Sequence, residues 1–355
     1  TYNIAIGHHA GKEVTTGVEN NLFGALAGDS LTTGSYNVAF GKGALTNEDT
    51  GSRNVAIGSR ALNSLNYDGD GYNIAIGYDA GLNISTGVQN TIVGGAAGDA
   101  LTTGTTNVLL GYDAGGGLTT GSNNIAIGVH ALNAETEHGR NVAIGHESLG
   151  SQNAGAHAYN TAVGYNSGNA ITTGTENNII GGLAGDALTT GGKNVAIGHA
   201  ALSGANGGES RNVAIGHSAL LVMDFNGSNN NVAVGYEAGK AVSTGVNNTI
   251  IGTECGDAIT TGGNNIIIGK SAAASAVDVS NEITLGDANI NAFRCADQSI
   301  AALSDGRDKT DIKNSSYGLE FINTIRPVEF TWNFRPENMA EAKQGKKRVG
   351  FIAQE

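Results

Sequence analysis

The sequence predicts an all-β fold, a parallel β-solenoid or β-roll, on three observations. A five-residue frame, Asn followed by three residues and Gly, recurs with its Asn at sixteen positions; eleven of the fifteen intervals are 17 residues long, three are 19 and one is 18. The second and fourth frame residues are mostly Val, Ile or Leu, the pattern of a short strand with one apolar face. The 355 residues include 56 Gly and only 2 Pro. We therefore expect about 16 stacked coils of 17–19 residues.

Each part of the coil has an expected role. Residues 54–58, Asn-Val-Ala-Ile-Gly, represent the strand, with Gly at a position that excludes a Cβ and an Asn amide free to bond backbone. Thr-Thr-Gly, as in residues 32–34, marks a second corner. The third frame residue is usually Ala but becomes large mostly where the second is polar, as in Leu22, Ile92, Ile179 and Ile250. We interpret the large ones as contacts with other chains, because one coil carries few large apolar groups of its own.

Composition divides the chain near Ser304. Ten basic and 24 acidic residues precede Ser304, whereas nine and eight lie from it onward, together with both prolines and the only Trp. We expect a repetitive shaft at 1–269, a last loosened coil and junction at 270–303, and a second domain at 304–355. The acidic shaft argues against nucleic acid as partner, and no apolar run is long enough for membrane insertion.

The second domain reads as a small α+β segment. Leu319, Ile322 and Ile325 recur at helical spacing, and Pro327 ends that helix. The alternation that follows, residues 328–332, predicts a half-buried strand.

The repeats and the C-terminal segment each resemble known families. The Asn-x-Ala-Ile-Gly coil is similar to the head repeats of trimeric autotransporter adhesins and to phage tail fibre shafts, which implies a homotrimer. Three ordered blocks, at 304–312, 318–332 and 349–355, closely resemble the intramolecular chaperone of endosialidase-type tailspikes, the S74 peptidase family. The family domain extends beyond the last block, so we expect a truncated domain here.

The chaperone resemblance implies a single autoproteolytic cut. Ser304 corresponds to the catalytic Ser and Lys309 to its partner, with the cut between Leu303 and Ser304. The chemistry is sound, since a neutral Lys amine can take the proton of a Ser hydroxyl when burial lowers its pKa. Whether this chain cuts itself is left open, and no turnover enzyme is expected in the shaft.

The three 19-residue coils carry their extra residues on one edge, where insertions often bind ligands. The receptor-binding candidates there are Tyr67, Asp68, His157, Asp224 and Phe225. A tolerated surface loop is the alternative for each. No cofactor or metal is expected, because the histidines after the frame Gly share that position with Tyr, Lys and Ser and should face outward.

These observations favour a structural, receptor-binding distal tail fibre protein of a tailed bacteriophage. Its expected partners are two further copies of itself, a host cell-surface glycan or protein receptor, and other tail proteins at its N-terminal side. Its expected location is the virion tail, after assembly in the host cytoplasm. The alternatives are a bacterial adhesin head on the cell surface and a polysaccharide-depolymerising tailspike.

Overall fold

The computed structural model describes residues 2–292 and 294 and the backbone of two short strands, 328–331 and 347–350. The chain separates into two compact units, Thr1–Ala292 and Phe293–Glu355. The first unit is a 17-stranded sheet with no helix in its described part. Its strands are β1 Ile4–Ile6, β2 Asn21–Phe23, β3 Val38–Phe40, β4 Val55–Ile57, β5 Ile74–Ile76, β6 Thr91–Val93, β7 Val108–Leu110, β8 Ile125–Ile127, β9 Val142–Ile144, β10 Thr161–Val163, β11 Asn178–Ile180, β12 Val195–Ile197, β13 Val213–Ile215, β14 Val232–Val234, β15 Thr249–Ile251, β16 Ile266–Ile268 and β17 Ile283–Leu285.

Every strand of this sheet pairs in parallel with the next one in the chain. The register joins equivalent frame residues, for example Val38 with Val55 and Phe40 with Ile57. Seventeen strands at about 4.8 Å spacing make a sheet roughly 77 Å long. The predicted parallel β-solenoid is confirmed, and the loosened last coil contributes β17, which pairs with β16.

The frame Asn residues form a continuous buried ladder. The Oδ1 of Asn37 accepts the backbone N–H of Asn54 at 3.0 Å, and the same bond recurs from coil to coil. The Asn37 amide also donates to the Gly51 carbonyl at 2.8 Å, which ties the strand to the second corner of its own coil, where Asp49-Thr50-Gly51 replaces Thr-Thr-Gly. In the last coil the N–H of Glu282 takes the place of an Asn N–H, donating to Asn265. These bonds satisfy backbone groups that strands of three residues leave unpaired.

The frame Gly allows the coils to stack closely. A Cβ on Gly58 would lie 2.2 Å from the carbonyl oxygen of Gly77 in the next coil, and the residue has a φ of +134°. No side chain avoids that backbone contact, so the position requires glycine.

The third frame residue points into the coil, which corrects the interpretation made from the sequence. Leu22, Ile92, Ile179 and Ile250 are fully buried within a single chain, as are the Ala residues at the same position in every coil after the first, whose Ala5 is exposed. The second and fourth frame residues point outward instead and are half-buried or exposed in this chain. Contact with other chains is therefore available to those two positions and not to the third.

The size of the third frame residue depends on which residue stands at position 9 of the coil. Positions are counted from the frame Asn, which is position 1. Position 9 is Gly in some coils and Leu in others, and a large third residue occurs only where neither its own coil nor the preceding one has Leu at position 9. The reason is shared space: a Cβ on Gly98 would lie 2.6 Å from Leu109 Cδ1, and one on Gly115 2.8 Å from Leu109 Cδ2. The core of a coil is thus filled either by a large third frame residue or by Leu at position 9 of the same or the preceding coil.

Position 12 forms a second inward column, beside the Thr-Thr-Gly corner. It is mostly apolar, as at Leu31 and Leu118, but two coils place the fully buried Glu48 and Glu135 there. Glu48 accepts the N–H of Gly51 at 2.7 Å and burial raises the pKa of its carboxyl.

The second unit contains an antiparallel pair, β18 Val328–Thr331 and β19 Lys347–Gly350. β18 confirms the strand predicted over residues 328–332. The helix predicted over 319–325 lies outside the described residues.

Candidate binding surface

The three 19-residue coils place their extra residues after position 12, on one edge of the solenoid. These expanded corners are residues 66–70, 153–157 and 224–228. Five strand spacings separate the first from the second and four the second from the third, about 24 Å and 19 Å. The sequence-predicted binding residues therefore share one edge of the solenoid but do not converge on one site.

The first expanded corner is held by polar contacts. The Thr50 hydroxyl donates to the Asp68 carboxylate at 2.6 Å, and Asp68 is otherwise exposed. Tyr67 is only half exposed, because its ring packs against the hydrophobic core. Asp68 thus offers its carboxylate to solvent, whereas Tyr67 acts partly as a core residue.

Beside this corner lies an aromatic and basic stack that the sequence did not indicate. The residue before each frame Asn has a left-handed backbone, and here these residues are Tyr36, Arg53 and Tyr72. The Arg53 guanidinium lies 5.4 Å from the Tyr36 ring centroid and 5.7 Å from that of Tyr72, and it pairs with Asp70. Such cation–π contacts keep three long side chains together on an exposed edge.

The second expanded corner repeats this arrangement. Arg140 lies over the Tyr159 ring at 5.5 Å, and His157 packs edge-on against Tyr159 with centroids 6.2 Å apart. His157 Nδ1 accepts the Gly139 N–H at 3.3 Å, which leaves the rest of an exposed ring available. The buried Glu135 carboxylate of the preceding coil accepts the N–H of Ala154, in this corner, at 3.4 Å and the N–H of His138, in its own coil, at 3.1 Å.

The third expanded corner is the most open. Asp224 and Phe225 are exposed, and Phe225 retains 42% of its surface. The carbonyl of Phe225 is fixed by the Asn229 side-chain amide at 2.9 Å. An exposed aromatic ring beside a carboxylate, on a backbone held by this hydrogen bond, is suited to stacking on a ligand.

The longest uniform feature of the surface is the outer face of the sheet. Frame positions 2 and 4 form two columns over all seventeen strands, and neither column contains a charged residue. Position 4 is apolar in every strand, with Phe40 56% and Ile180 42% exposed. We call these two columns the outer stripe. The position-4 column is continuously apolar, and position 2 adds Val or Ile in twelve strands and Asn or Thr in five. Long apolar surfaces of this kind are typical of interaction sites, because monomeric soluble proteins rarely expose them.

The described residues bear on two further expectations from the sequence, which concern metal binding and membrane insertion. Among these residues, no three His, Cys, Asp or Glu side chains lie together in a way that could hold a metal ion. No described helix could cross a membrane. His146, His199 and His217 are exposed, as expected from the Tyr that shares their position. Leu303, Ser304 and Lys309 lie outside the described residues.

The C-terminal segment is similar to a known protein family. Residues 304–355 match the family model for the chaperone of endosialidase, peptidase S74. The comparisons with curated proteins and with solved structures found no match. A parallel β-solenoid followed by this chaperone segment fits a tail fibre-like or tailspike-like protein.

Proposed function

We propose that this protein is a fibre shaft of a tailed bacteriophage, assembled from three copies of the chain, that carries receptor-binding corners along its edge. The observation that supports assembly is the outer stripe, uncharged over seventeen strands and half exposed in one chain. The rest of the chain before Ser304 holds ten basic and 24 acidic residues, so the stripe stands out from an acidic surface. Other copies of the same chain present an apolar stripe of equal length and repeat.

The chaperone segment supports the same proposal. Coils of nearly identical sequence can pair one step out of register and lose only their end contacts, so the repeats specify chain alignment weakly. A segment outside the repeats supplies that alignment. We propose that the chaperone segment, residues 304–355, supplies this alignment and is released afterwards by a cut before Ser304; its match to the endosialidase-chaperone family supports this role.

Assembly is tested by adding charge to the stripe. Leu110→Asp with Ile127→Asp places two carboxylates on neighbouring outer-stripe strands, where burial against another copy would be unfavourable. The control pair, Thr103→Asp with Thr120→Asp, adds the same charge at exposed positions of the Thr-Thr-Gly corner. Sedimentation velocity should show dissociation for the first pair alone. Equal dissociation of both pairs, or of neither, would contradict the proposal.

Receptor binding is proposed for the expanded corners, with a host cell-surface glycan or protein as partner. Asp68, His157, Asp224 and Phe225 expose polar and aromatic groups, and Tyr67 contributes the exposed part of its ring. Shortening one corner at a time to the seventeen-residue form should leave assembly intact, because the coil is complete without it. Binding to host cell envelopes should then fall for at least one shortened form. Unchanged binding for all three would place the receptor site elsewhere.

The other tail proteins are proposed to attach on the N-terminal side of the shaft, and the virion tail is the proposed location. The attachment side and the location both rest on the tail-fibre proposal, not on the geometry of the solenoid.

A further inference from the structure

One coil lacks a side chain that the other coils have. Position 7, two residues after the frame Gly, is glycine only at Gly43. The equivalent residues carry side chains in the same left-handed backbone conformation: His9, Leu26, Arg60, Asp79, Ala96, Asp113, His130, Glu147, Asn166, Leu183, Ala200, Ser218, Glu237, Glu254 and Ser271. The column of position-7 side chains along this corner is therefore interrupted between Leu26 and Arg60.

A cavity of about 430 Å³ lies at this interruption. Its walls combine an apolar side chain, an aromatic ring, two cations and several small polar groups. The lining residues are Leu26, Lys42, Gly43, Thr46, Ser59, Arg60, Asn63 and Tyr78. A concave site of this size with a few convergent polar groups is typical of small-ligand binding.

The polar groups are positioned by the surrounding coils. The Asn63 amide nitrogen donates to the Gly43 carbonyl at 2.9 Å and to the Thr46 hydroxyl at 3.2 Å, so its Oδ1 remains able to accept. The Arg60 guanidinium donates to the Tyr78 hydroxyl at 2.7 Å and to Asp79 at 2.5 Å. Arg60 is thus held in place, and the Tyr78 hydroxyl keeps its own proton to donate.

The charge in the cavity contrasts with the rest of the solenoid. Arg60 is balanced by Asp79, but Lys42 is exposed and makes no ion pair with any described residue. A cation without a partner attracts an anion, and a charge-assisted hydrogen bond to it is stronger than a neutral one. Tyr78, which is 59% exposed, lines the same cavity as Lys42 and has the Arg60 guanidinium over its ring, 5.3 Å from the centroid.

We propose that this cavity binds an anionic monosaccharide unit. The carboxylate or phosphate of the sugar pairs with the Lys42 ammonium, the apolar face of the sugar ring packs against Leu26 and the exposed part of Tyr78, and sugar hydroxyls bond Ser59, Asn63 and the Tyr78 hydroxyl. Carboxylated and phosphorylated sugars satisfy the same groups. The site is lined by residues at positions 6–10 of its coils, before the segment that is lengthened in the expanded corners, so it adds to the receptor-binding proposal without depending on it.

The solenoid contains a natural comparison site. Five coils further on, the same corner has a cavity of about 380 Å³ lined by His130, Asn133, Glu147, Gly150, Ser151 and Asn169. Glu147 stands there where Arg60 stands in the first cavity, and Val129 stands where Lys42 does. That second cavity places a carboxylate where the first places a guanidinium, so we assign no anion binding to it.

The test measures the dissociation constants of four probes for the full chain by ligand-observed NMR. The probes are glucuronate, glucose 6-phosphate, glucose and inorganic phosphate. Lys42→Gln should weaken binding of the anionic sugars roughly tenfold or more. Lys270→Gln is the matched control, because Lys270 occupies the same position 6 in a coil without this cavity, and it should leave binding unchanged.

A second variant tests the cavity rather than the charge. Gly43→Asn fills the interruption; Asn166 shows that Asn takes this position, with a φ of 52°. The variant should keep the wild-type circular dichroism spectrum and oligomeric mass and lose sugar binding.

Each binding result either supports the proposal or overturns it. Binding of glucuronate alone would assign a carboxylated unit and binding of glucose 6-phosphate alone a phosphorylated one, and either supports the proposal. Inorganic phosphate bound as tightly as the sugars, glucose bound as tightly as glucuronate, or equal binding by wild type and Lys42→Gln would overturn it. Absence of binding would also overturn it while leaving the assembly proposal intact, since the oligomeric mass is measured on the same samples.

Discussion

The Oδ1 atom of Asn107 accepts the backbone N–H of Asn124, 2.9 Å away in the next coil. The Asn107 amide nitrogen meanwhile donates to the Gly121 carbonyl at 2.9 Å, so one side chain joins two coils and closes its own. All of these atoms are buried. The ladder of such residues makes the stack of coils cooperative.

Asn107→Ala should therefore be strongly destabilising. The substitution leaves the N–H of Asn124 and the carbonyl of Gly121 without partners, at a cost of about 1–3 kcal/mol for each buried group. Urea unfolding followed by circular dichroism measures the loss. Asn47→Ala is the control, because Asn47 is exposed and its side chain makes no hydrogen bond with any described residue. Equal stability of the two variants would show that the ladder is not a main support.

Because Leu at position 9 and a large third frame residue occupy the same space, a second substitution should restore part of the stability lost by the first. Gly115→Leu alone should cost about 1–3 kcal/mol by overpacking against Leu109, and Leu109→Ala alone about 2–5 kcal/mol by leaving a cavity. The double variant recreates the Ala-and-Leu arrangement of the coil containing Ala126 and Leu132. Its loss in unfolding free energy should be clearly smaller than the sum of the two. Simple additivity would contradict the shared space inferred from the distances.

Glu48 predicts a dependence of stability on pH. Burial raises the pKa of its carboxyl, against hydrogen bonds from the N–H groups of Gly51 and Tyr67 that lower it. The folded chain then holds the proton more tightly than the unfolded chain does, so this residue favours folding below the unfolded pKa of about 4.5. That contribution is lost as the pH rises through the raised folded pKa.

Glu48→Leu removes this titration, and Leu31 shows that Leu occupies the same position. The variant should become progressively more stable relative to wild type as the pH of the unfolding experiment rises from about 4 to 8. Glu137→Gln, at an exposed position, serves as the control. A stability difference that is constant with pH would show that the Glu48 carboxyl does not titrate differently on folding.

Ser304 and Lys309 predict the outcome of autoproteolysis. The protein should yield a fragment that ends at Leu303, detected by intact-mass spectrometry. Ser304→Ala and Lys309→Ala should each abolish the cut, because the nucleophile or its base is lost. Ser299→Ala, upstream of the cut, should not. A wild-type product that stays intact would remove this chemistry from the account.

The sequence predicted the strands well because their signal is local. Val55 and Ile57 alternate around Ala56 between an Asn and a Gly, and β4 spans those three residues. The strand after Pro327 carried the same alternation, and β18 lies there. Repetition reinforced the first signal, since sixteen weak patterns at one period outweigh the ambiguity of any single one.

The sequence did not show which face of each strand points inward. Both faces are apolar. A strand of three residues places its middle side chain on one face and the other two on the opposite face, which is too few to identify the inward face. The inward direction of position 3 is shown by the close approach of Leu109 to Gly98 and Gly115. The sequence alone does not reveal this approach, because it depends on how the coil folds. Short apolar strands therefore predict their own existence better than their orientation.

The candidate site was predicted only in part for a related reason. The expanded corners were visible as longer intervals, whereas the stack around Arg53 depends on a left-handed backbone that the coil imposes on whichever residue precedes the frame Asn. The interruption at Gly43 is visible in the sequence only once the position-7 column is known to run along one corner.

Sedimentation equilibrium of the wild-type protein tests the central claim most directly, that other copies of the chain cover the outer stripe. The account predicts a mass three times that of the subunit, which is 35.8 kDa uncut, with the true subunit mass taken from mass spectrometry of the same sample under denaturing conditions. A well-folded protein that sediments as a single subunit at micromolar concentration would contradict it.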